Sequence, residues 1–410
     1  MKPALATTAA AVSSPPPHGA SAQAFRAAID DSCDATQSAV LRYRDTVRLA
    51  GDDGEDRRLK ALLGTTSIRE GLRLVPLGEY CDVRIDVLDE TSLMRTATLK
   101  SIDGCVTIAH CLARGDSGIV FESGANTGTA LSVYGNRAGL ETFLFVPAEN
   151  LDLLDAAAFA APGAHVFAVD RPGDVKRAAA AFASARGLPR VPELEWRIKA
   201  STFAGCFLLE QMLAGRRYSV LAQSISAGFG PIGIYRVLAT YGEAVDSLPA
   251  FLGVQQAANA PMVDAWRAGP HASAGPGGVG APVRSTRDLL ARVMYDGDPG
   301  TYGTFGELRE VLTGSGGSLA TVDGGEFERA IGTRIEGQPV LERLAAHDVR
   351  IAIRDDGGVL DKTGLLGLAG TLRAIDAGQI AAGSSALVCL TGGTARPRGR
   401  VEATRWEDRG

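Results

Sequence analysis

Short apolar runs alternate with helix-like segments along much of this chain, and that alternation narrows the folds open to it. The apolar runs, each of strand length, cover residues 118–121, 142–146, 164–169 and 218–222. The helix-like segments that follow them cover residues 127–138, 174–186 and 232–241. Repeated strand–helix units favour mostly parallel sheets with helices on both faces. We therefore predict an α/β fold.

The N-terminal part of the chain has a different character. Its first 22 residues are rich in Ala, Ser, Thr and Pro, and they lack the patterns of a secretory signal or a transit peptide. We expect this tail to be disordered. Residues 24–63 have helical character with a polar break at 51–54, and the alternating segment 82–88 predicts a strand.

Composition excludes several classes of function. The 410 residues suffice for two domains, and the net charge of −5 with a pI near 5.7 leaves no basic stripe for nucleic acid or an anionic membrane. No apolar run reaches transmembrane length. The six cysteines are scattered without a CxxC pair, which indicates reduced thiols in a cytoplasmic protein and no metal site.

Two glycine-containing stretches each lie between a predicted strand and a predicted helix. The second, Ser226-Ala227-Gly228-Phe229-Gly230, can bring several backbone N–H groups onto a phosphate because its small residues allow close approach. An ordinary strand-to-helix turn is the alternative interpretation.

The first stretch, Ser123-Gly124-Ala125-Asn126-Thr127, offers hydroxyls, amides and one carboxamide at the start of a helix. Such a set suits a carboxylate, and Asn126 could hydrogen-bond a phenolic oxygen. Taken alone, a helix cap explains the same residues, because Ser, Asn and Thr are common caps.

One lysine has surroundings that suggest chemistry. Only six of the 42 basic residues are lysines, and arginine, which serves equally well as a surface charge, cannot form a Schiff base. Lys100 lies where a polar loop meets a predicted helix, and partial burial there would lower its pKa. A solvated surface lysine is the alternative. Thr391 follows the apolar run 387–390, where a hydroxyl could face a ring nitrogen or belong to a plain turn.

The order of these motifs resembles the fold-type II pyridoxal-phosphate enzymes of the tryptophan synthase β-subunit class. That order is lysine, Ser-x-x-Asn-Thr-Gly, glycine loop and Leu-Thr-Gly-Gly. The segments 126–130, 137–140, 145–147, 228–235 and 390–393 are similar to the threonine synthase branch. The resemblance extends over roughly residues 75–397.

The resemblance implies a role for each motif. Lys100 would form the Schiff base with pyridoxal 5'-phosphate and move protons on the substrate, and Asn126 would contact the phenolic oxygen of the cofactor. Thr391 would face the pyridine nitrogen. The phosphate would be bound by Ser226, Ala227, Gly228, Phe229 and Gly230. The substrate carboxylate would be bound by Ser123, Gly124, Ala125 and Thr127.

The sequence around Lys100 differs from that of the threonine synthase branch. Threonine synthases usually carry Pro-Thr-Gly-Ser-Phe-Lys-Asp-Arg-Gly, and this chain has Arg95-Thr96-Ala97-Thr98-Leu99-Lys100-Ser101-Ile102-Asp103-Gly104. The Asp-Arg pair after the lysine is missing, so the natural substrate need not be a phosphorylated homoserine. Arg95 could bind an anionic leaving group or lie on the surface.

The resemblance implies an enzyme with two domains, each a mostly parallel sheet with helices on both faces. Residues 23–104 and 218–410 would form a large cofactor-binding domain, and residues 105–217 a smaller mobile domain with the substrate loop. We expect elimination or replacement on the β or γ carbon of an O-phosphorylated or O-acylated serine or homoserine, by a cytoplasmic homodimer. Threonine synthase proper is the specific alternative. A non-catalytic scaffold and a nucleotide-binding α/β protein are alternatives from other classes.

Overall fold

The strand–helix alternation of the sequence is present in the fold. The structure, a computed structural model, describes residues 21–242, 245, 247–269, 285–295, 304–394 and 401–407. All but the last two residues of the predicted tail, 1–22, lie outside the described residues.

The strands, in chain order, are short except at the start of the larger sheet. They are β1 (Arg73–Tyr80), β2 (Val83–Asp89), β3 (Gly118–Glu122), β4 (Glu141–Pro147), β5 (Ala164–Val169), β6 (Val220–Ser224), β7 (Ala250–Gln256), β8 (Ser318–Val322), β9 (Arg334–Ile335), β10 (Gln338–Pro339), β11 (Ser385–Leu390) and β12 (Thr404–Arg405).

The helices connect and cover these strands. They are α1 (Ala22–Ala27), α2 (Ala39–Arg42), α3 (Asp53–Thr66), α4 (Lys100–Arg114), α5 (Asn126–Arg137), α6 (Val175–Arg186), α7 (Leu194–Leu213), α8 (Phe229–Thr240), α9 (Pro261–Arg267), α10 (Phe305–Ser315), α11 (Gly324–Gly332), α12 (Val340–Ala346) and α13 (Thr363–Asp376). Short 3₁₀ turns cover Ala148–Leu153, Ala156–Phe159, Pro172–Asp174, Thr286–Asp288 and Arg292–Met294.

The larger sheet has six strands in the order β1-β2-β11-β6-β7-β8. Only the β1–β2 hairpin in it is antiparallel, and the other neighbours are parallel. The central strand β11 is buried on both faces: Leu387 and Cys389 pack into the core beneath α4, α7 and α8, and Val388 and Leu390 pack against α13. The chain thus confirms the predicted α/β fold, because a parallel sheet needs helices on both faces.

The smaller sheet has four strands in the order β12-β5-β4-β3, all parallel. One face packs against α6, where Phe145 and Phe182 belong to a separate aromatic core, and the other face joins the main core. The predicted segment 105–217 contains three of these strands, and the structure adds β12 from the C-terminal end of the chain.

The predicted helical region 24–63 is wrong over most of its length. Helix covers only α1, α2 and the part from Asp53 onward. Asp30 and Asp34 each accept hydrogen bonds from the backbone and hydroxyl two residues later, and such local turns compete with a helix. The predicted polar break starts a helix instead, because the Asp52 carboxylate caps α3 by accepting from the Glu55 N–H.

In the described part of the chain, no helix combines the length and apolar character needed to cross a bilayer. Nor does the described part contain a group of three or more His, Cys, Asp or Glu side chains placed to hold a metal ion.

Candidate active site

A cavity of about 160 Å³ opens where β3, β6 and β11 end, at the carboxyl edge of both sheets. This is the edge at which α/β folds bind ligands, because helix N-termini follow the strands there. Lys100, the Ser123–Thr127 loop, the Ser226–Gly230 loop and Thr391 all contribute to its lining. The fold therefore brings together motifs that are separated by up to almost 300 residues in the sequence.

Lys100 is the first residue of α4 and is held by the loop before it. Its N–H donates to Thr98 Oγ1 at 3.2 Å, and the Leu99 N–H donates to the Thr391 carbonyl at 3.1 Å. The Ser101 hydroxyl accepts the Thr96 N–H at 2.9 Å. These bonds fix the start of α4 against the end of β11, so Lys100 and Thr391 share one wall of the cavity.

The Lys100 amine belongs to a buried ion cluster. Its Nζ lies 2.9 Å from Asp103 Oδ2, and the Lys100 side chain is 19 % exposed. The same carboxylate oxygen lies 3.4 Å from Arg197 Nε. Two cations therefore share one carboxylate, which leaves a net positive charge at the cavity wall.

Burial lowers the pKa of Lys100 below its ordinary value, and the nearby Arg197 charge acts in the same direction, while Asp103 opposes both. For Asp103, burial acts to raise the pKa, but the charges of Lys100 and Arg197 outweigh it and hold the pKa below its ordinary value. A buried lysine with a lowered pKa is a candidate nucleophile and proton carrier, because more of it is the free amine near neutral pH.

The first loop closes the cavity from the smaller sheet. Ser123 Oγ accepts the N–H groups of Ala125 at 3.1 Å and Gly128 at 2.9 Å, so it caps the start of α5. Gly124 lies against Val293, where an added Cβ would come within 2.7 Å of the Val293 carbonyl oxygen. This cap accounts for Ser123. The loop lines the cavity, and free N–H groups at a helix start can bind a carboxylate.

The second loop forms the N-terminus of α8. Gly228 has φ of 80°, in the left-handed region that favours glycine. A Cβ on Gly230 would lie 2.3 Å from Gln223 Nε2, so a side chain here would require the Gln223 amide or the loop to shift. The first N–H groups of a helix have no carbonyl partner within it, which makes this turn suited to an anion.

Two polar contacts complete the wall beside Lys100. Thr391 Oγ1 lies 3.2 Å from Ser224 Oγ, and both residues are buried. Asn126, which is also buried, donates from Nδ2 to Asp361 Oδ2 at 3.3 Å. The Asn126 carboxamide is therefore oriented by a carboxylate behind it, and a hydroxyl stands at the end of β11.

Two of the predicted site residues do not line the cavity. Ala125 is completely buried and acts through its backbone, which binds Ser123. Arg95 is exposed, and its N–H donates to the Arg69 carbonyl at 2.8 Å. Arg95 is therefore not part of this cavity wall, and its role in binding a leaving group stays a prediction.

Several cavity residues were not predicted from the sequence, and Glu122, Arg197 and Gln223 are among them. Glu122 ends β3 immediately before the first loop, and its position at the carboxyl end of a strand was a signal that could have found it. Arg197 and Gln223 also line the cavity. Arg197 lies on α7, far along the chain from either loop, and only the packing of that helix brings it here. No local pattern in the sequence marks it.

Arg197 is held on three sides. Besides its contact with Asp103, its Nη2 lies 3.3 Å from Thr127 Oγ1, and its guanidinium carbon lies 4.4 Å from the centre of the Phe229 ring. The side chain is 14 % exposed. A guanidinium held in this way is preorganised to bind an anionic group in the cavity.

A larger cavity of about 680 Å³ lies at the ends of β7 and β8. Three of its basic side chains have acidic partners: Arg292 pairs with Asp152, Arg354 with Asp356, and Lys362 with Glu328. It contains neither glycine loop from the sequence analysis. Size alone therefore does not make it the better candidate for chemistry.

Comparison with known proteins gives an independent result. A family model described as "Pyridoxal-phosphate dependent enzyme" matches residues 72–392. The threonine synthase of Mycobacterium leprae is 24 % identical over 360 residues, which span 86 % of this chain and 87 % of that protein.

Solved structures share the fold at low sequence identity. Diaminopropionate ammonia lyase from Escherichia coli superposes with a TM-score of 0.60 at 15 % identity, covering 89 % of this chain and 93 % of its own. The processed form of threonine deaminase isoform 2 from Solanum lycopersicum superposes with a TM-score of 0.59 at 16 % identity, covering 85 % of this chain and 87 % of its own.

Proposed function

We propose that this chain, which belongs to the pyridoxal-phosphate dependent enzyme family, removes or replaces a group on the β or γ carbon of an O-activated serine or homoserine. One observation carries the proposal. Lys100, two helix N-termini and the Arg197 guanidinium line the same cavity. A reactive amine, anion-binding amides and a second cation are what such a substrate and cofactor require together.

The residues of the cavity fit pyridoxal 5'-phosphate, the cofactor of this family. Gly228 and Gly230 leave the start of α8 free of side-chain bulk, and the Thr391 hydroxyl is buried beside Ser224. When bound, this cofactor withdraws electron density from the α-carbon of an amino acid attached to it. The protein must supply the binding, orientation and proton transfers.

Each motif would take one of these tasks. Lys100 would hold the aldehyde group of the cofactor and carry protons to and from the substrate carbons. The amides of Ser226–Gly230 would bind the phosphate, with the helix dipole of α8 favouring its negative charge. Asn126 would contact the phenolic oxygen, and Thr391 would face the ring nitrogen. A hydroxyl there, unlike a carboxylate, leaves that nitrogen unprotonated, which suits elimination and replacement.

The substrate would lie between the first loop and Arg197. The amides at the start of α5, with the hydroxyls of Ser123 and Thr127, would bind its carboxylate. Arg197 would bind an anionic group on its side chain, because the guanidinium already lies beside Thr127. This supports a phosphorylated substrate over an acylated one. In binding the anionic group, Arg197 takes the role that the sequence analysis gave to Arg95.

The cofactor assignment is tested by absorption. The purified protein should be yellow, and borohydride should bleach the band and attach the cofactor irreversibly to Lys100, as a mass spectrum of the peptides would show. Lys100→Ala should bind the cofactor weakly and lose turnover, because the phosphate site lies elsewhere. Lys60→Ala is the matched control, since Lys60 pairs with Asp56 on α3. Full turnover by Lys100→Ala would contradict the proposed role.

The substrate is tested by comparing O-phosphohomoserine, O-phosphoserine and O-acetylserine. Release of phosphate together with threonine from O-phosphohomoserine would establish threonine synthase proper, the alternative that the similarity to the Mycobacterium leprae protein favours. A cofactor-loaded protein that turns over none of the three, nor other amino acids, would favour the non-catalytic scaffold. Family membership speaks against the nucleotide-binding alternative. A cytoplasmic homodimer remains part of the proposal, and light scattering tests the dimer.

A further inference from the structure

A second, much smaller cavity adjoins the first, and Leu99, Gln223 and Gly230 line both. Its volume is about 10 Å³, enough for one water molecule. Glu90, at the end of β2, Asp103 on α4 and Gln223 on β6 all contribute to its walls, and each is at least 96 % buried. Three buried polar side chains therefore border a space that apolar packing would normally fill.

Each of these three residues has one oxygen without a hydrogen-bond partner in the described part of the protein. They are Glu90 Oε2, Asp103 Oδ1 and Gln223 Oε1. The other Asp103 oxygen is occupied by Lys100 and Arg197. Buried oxygens without a partner are costly, so this group needs donors that the surrounding side chains do not supply.

One water molecule and one proton on Glu90 are enough to give each of these three oxygens a hydrogen-bond partner. A protonated Glu90 donates its hydrogen to the water oxygen, and the two water hydrogens are donated to Asp103 Oδ1 and Gln223 Oε1. Every orphaned oxygen then has a partner. With Glu90 ionised, a single water would face three acceptors with only two hydrogens.

We infer that Glu90 is a protonated positioning residue, which through one buried water holds the Asp103 carboxylate in place and thereby orients the Lys100 amine. Asp103 cannot rotate without breaking the water contact on one oxygen and the lysine contact on the other. The inference rests on Lys100 as the cofactor-bearing residue of the proposed function, and it is independent of the substrate.

The charges around Glu90 agree with this protonation. Burial raises its pKa to about 8; the Lys100 charge acts to lower it, and Asp89, its neighbour on β2, acts to raise it. Asp103 on α4 lines the same cavity, and Arg197 on α7 lies beside it, with its Nε 3.4 Å from Asp103 Oδ2. Cys389 on β11 is the other titratable neighbour, and burial together with Glu90 raises its pKa well above the ordinary value.

If Glu90 acts in this way, its ionisation should change the absorption of the bound cofactor. An anionic Glu90 would lose the bond to the water and add a negative charge near Lys100, which raises the pKa of that amine. The absorption band of the loaded full-length protein should therefore change with a midpoint near pH 8. Glu90→Gln, whose amide still donates to the water, should keep the band and at least half of the turnover at pH 7 but lose that transition.

The experiment is a titration of the band from pH 6 to 10 in wild type, Glu90→Gln and the control Glu141→Gln, which changes an exposed glutamate on β4. Gln223→Met provides a second test if Glu90→Gln does not fold. It removes one acceptor from the water that stabilises the neutral acid, so the midpoint should move to lower pH.

Several results would overturn the inference. An unchanged transition in Glu90→Gln, or an unmoved one in Gln223→Met, would show that Glu90 does not act in this way. A midpoint that differs between sodium and potassium salts at equal ionic strength would place a cation in the cavity instead of water. A wild-type protein without any cofactor band would contradict the proposed function itself.

Discussion

Ala97, three residues before Lys100, has φ of 54°, a left-handed conformation that is strained for any residue with a Cβ. Threonine synthases usually carry glycine at this point of the motif. Replacing Ala97 with glycine should therefore raise the free energy of unfolding by about 0.5–1 kcal/mol, because the strain is relieved. Urea unfolding followed by fluorescence measures this change.

The control for Ala97→Gly is Ala181→Gly, at an exposed position inside α6. There the same chemical change should lower the free energy of unfolding by about 0.5–1 kcal/mol, since glycine is a poor helix residue. If both substitutions destabilise the protein equally, the left-handed conformation of Ala97 does not carry the expected strain.

Glu90 should make the stability of the protein depend on pH. Its pKa is raised by burial from 4.5 to about 8, so between these values the folded protein holds a proton that the unfolded chain has lost. The free energy of unfolding must then fall as pH rises from about 4.5 to about 8. Glu90→Gln removes this contribution. The free energy of unfolding of the variant minus that of wild type should therefore increase by up to about 4 kcal/mol between pH 5 and pH 9. Urea unfolding at both pH values tests this, and a difference that does not change with pH would contradict it.

Arg197 should matter most for substrates that carry a negative charge on the side chain. Arg197→Gln should raise the KM for a phosphorylated substrate about 10- to 100-fold, because a charge-assisted contact is lost, and should change kinetics with O-acetylserine much less. Arg95→Gln, which alters an exposed arginine, serves as the control and should leave both substrates unaffected. Equal losses on charged and neutral substrates would assign Arg197 a structural role through Asp103 and Phe229.

Residues in local motifs could be placed from the sequence, and residues brought in by packing could not. Lys100 and the two loops were found because each lies at a junction with a following helix, where the chemistry of one short segment is informative. Arg197 reaches the cavity only because α7 packs beside α4 and α8. Arg95 is only five residues from Lys100 but is exposed and does not line the cavity, so nearness in sequence alone does not place a side chain there.

At the scale of elements, the strands and helices around the cavity were predictable. The predicted strand 164–169 coincides with β5, and the predicted helix 127–138 differs from α5 by one residue at each end. These segments have apolar runs of clear period and Gly or Pro at their ends. The region 24–63 failed because its apolar residues pack against α7 and the main core in a largely irregular backbone that is fixed by aspartate turns.

The turn between β6 and α8 should be disturbed by a side chain at Gly230. A Cβ in Gly230→Ala would come within 2.3 Å of Nε2 of the buried Gln223, so either this amide or the turn must move. The substitution should shift the turn and weaken cofactor binding at least tenfold, measured by titration of the cofactor-free protein. Gly306→Ala on α10, where an added Cβ meets no atom within 4 Å, is the control and should bind normally. Normal affinity in Gly230→Ala would show that the turn does not set the phosphate site.

At the scale of the whole molecule, the chain crosses between the two sheets more often than the sequence indicated. The sequence predicted one inserted segment, 105–217, and gave no reason to expect the C-terminal end to return to the smaller sheet. The cause is a long-range contact: β12 is only two residues long and pairs with β5, and the Trp406 that follows it packs on three phenylalanines. A two-residue strand has no periodicity that a sequence can reveal.

The pairing of β12 with β5 and the packing of Trp406 should stabilise the smaller sheet. Trp406 lies with its ring 5.1 Å from that of Phe145, 6.0 Å from Phe167 and 6.1 Å from Phe182, each in an edge-to-face arrangement. The indole is only half-buried, so Trp406→Ala should lower the free energy of unfolding by about 1–3 kcal/mol, mostly from lost apolar burial.

Because the contact covers one face of the smaller sheet alone, hydrogen exchange should quicken in β4 and β5 of Trp406→Ala and stay unchanged in β6 and β7. Arg405→Ala is the matched control: it removes only an exposed ion pair with Asp170, which solvent screens, and should leave exchange in both sheets as it was. If Trp406→Ala quickened exchange equally in both sheets, the two would unfold as one unit, and a separately mobile smaller domain would have no support.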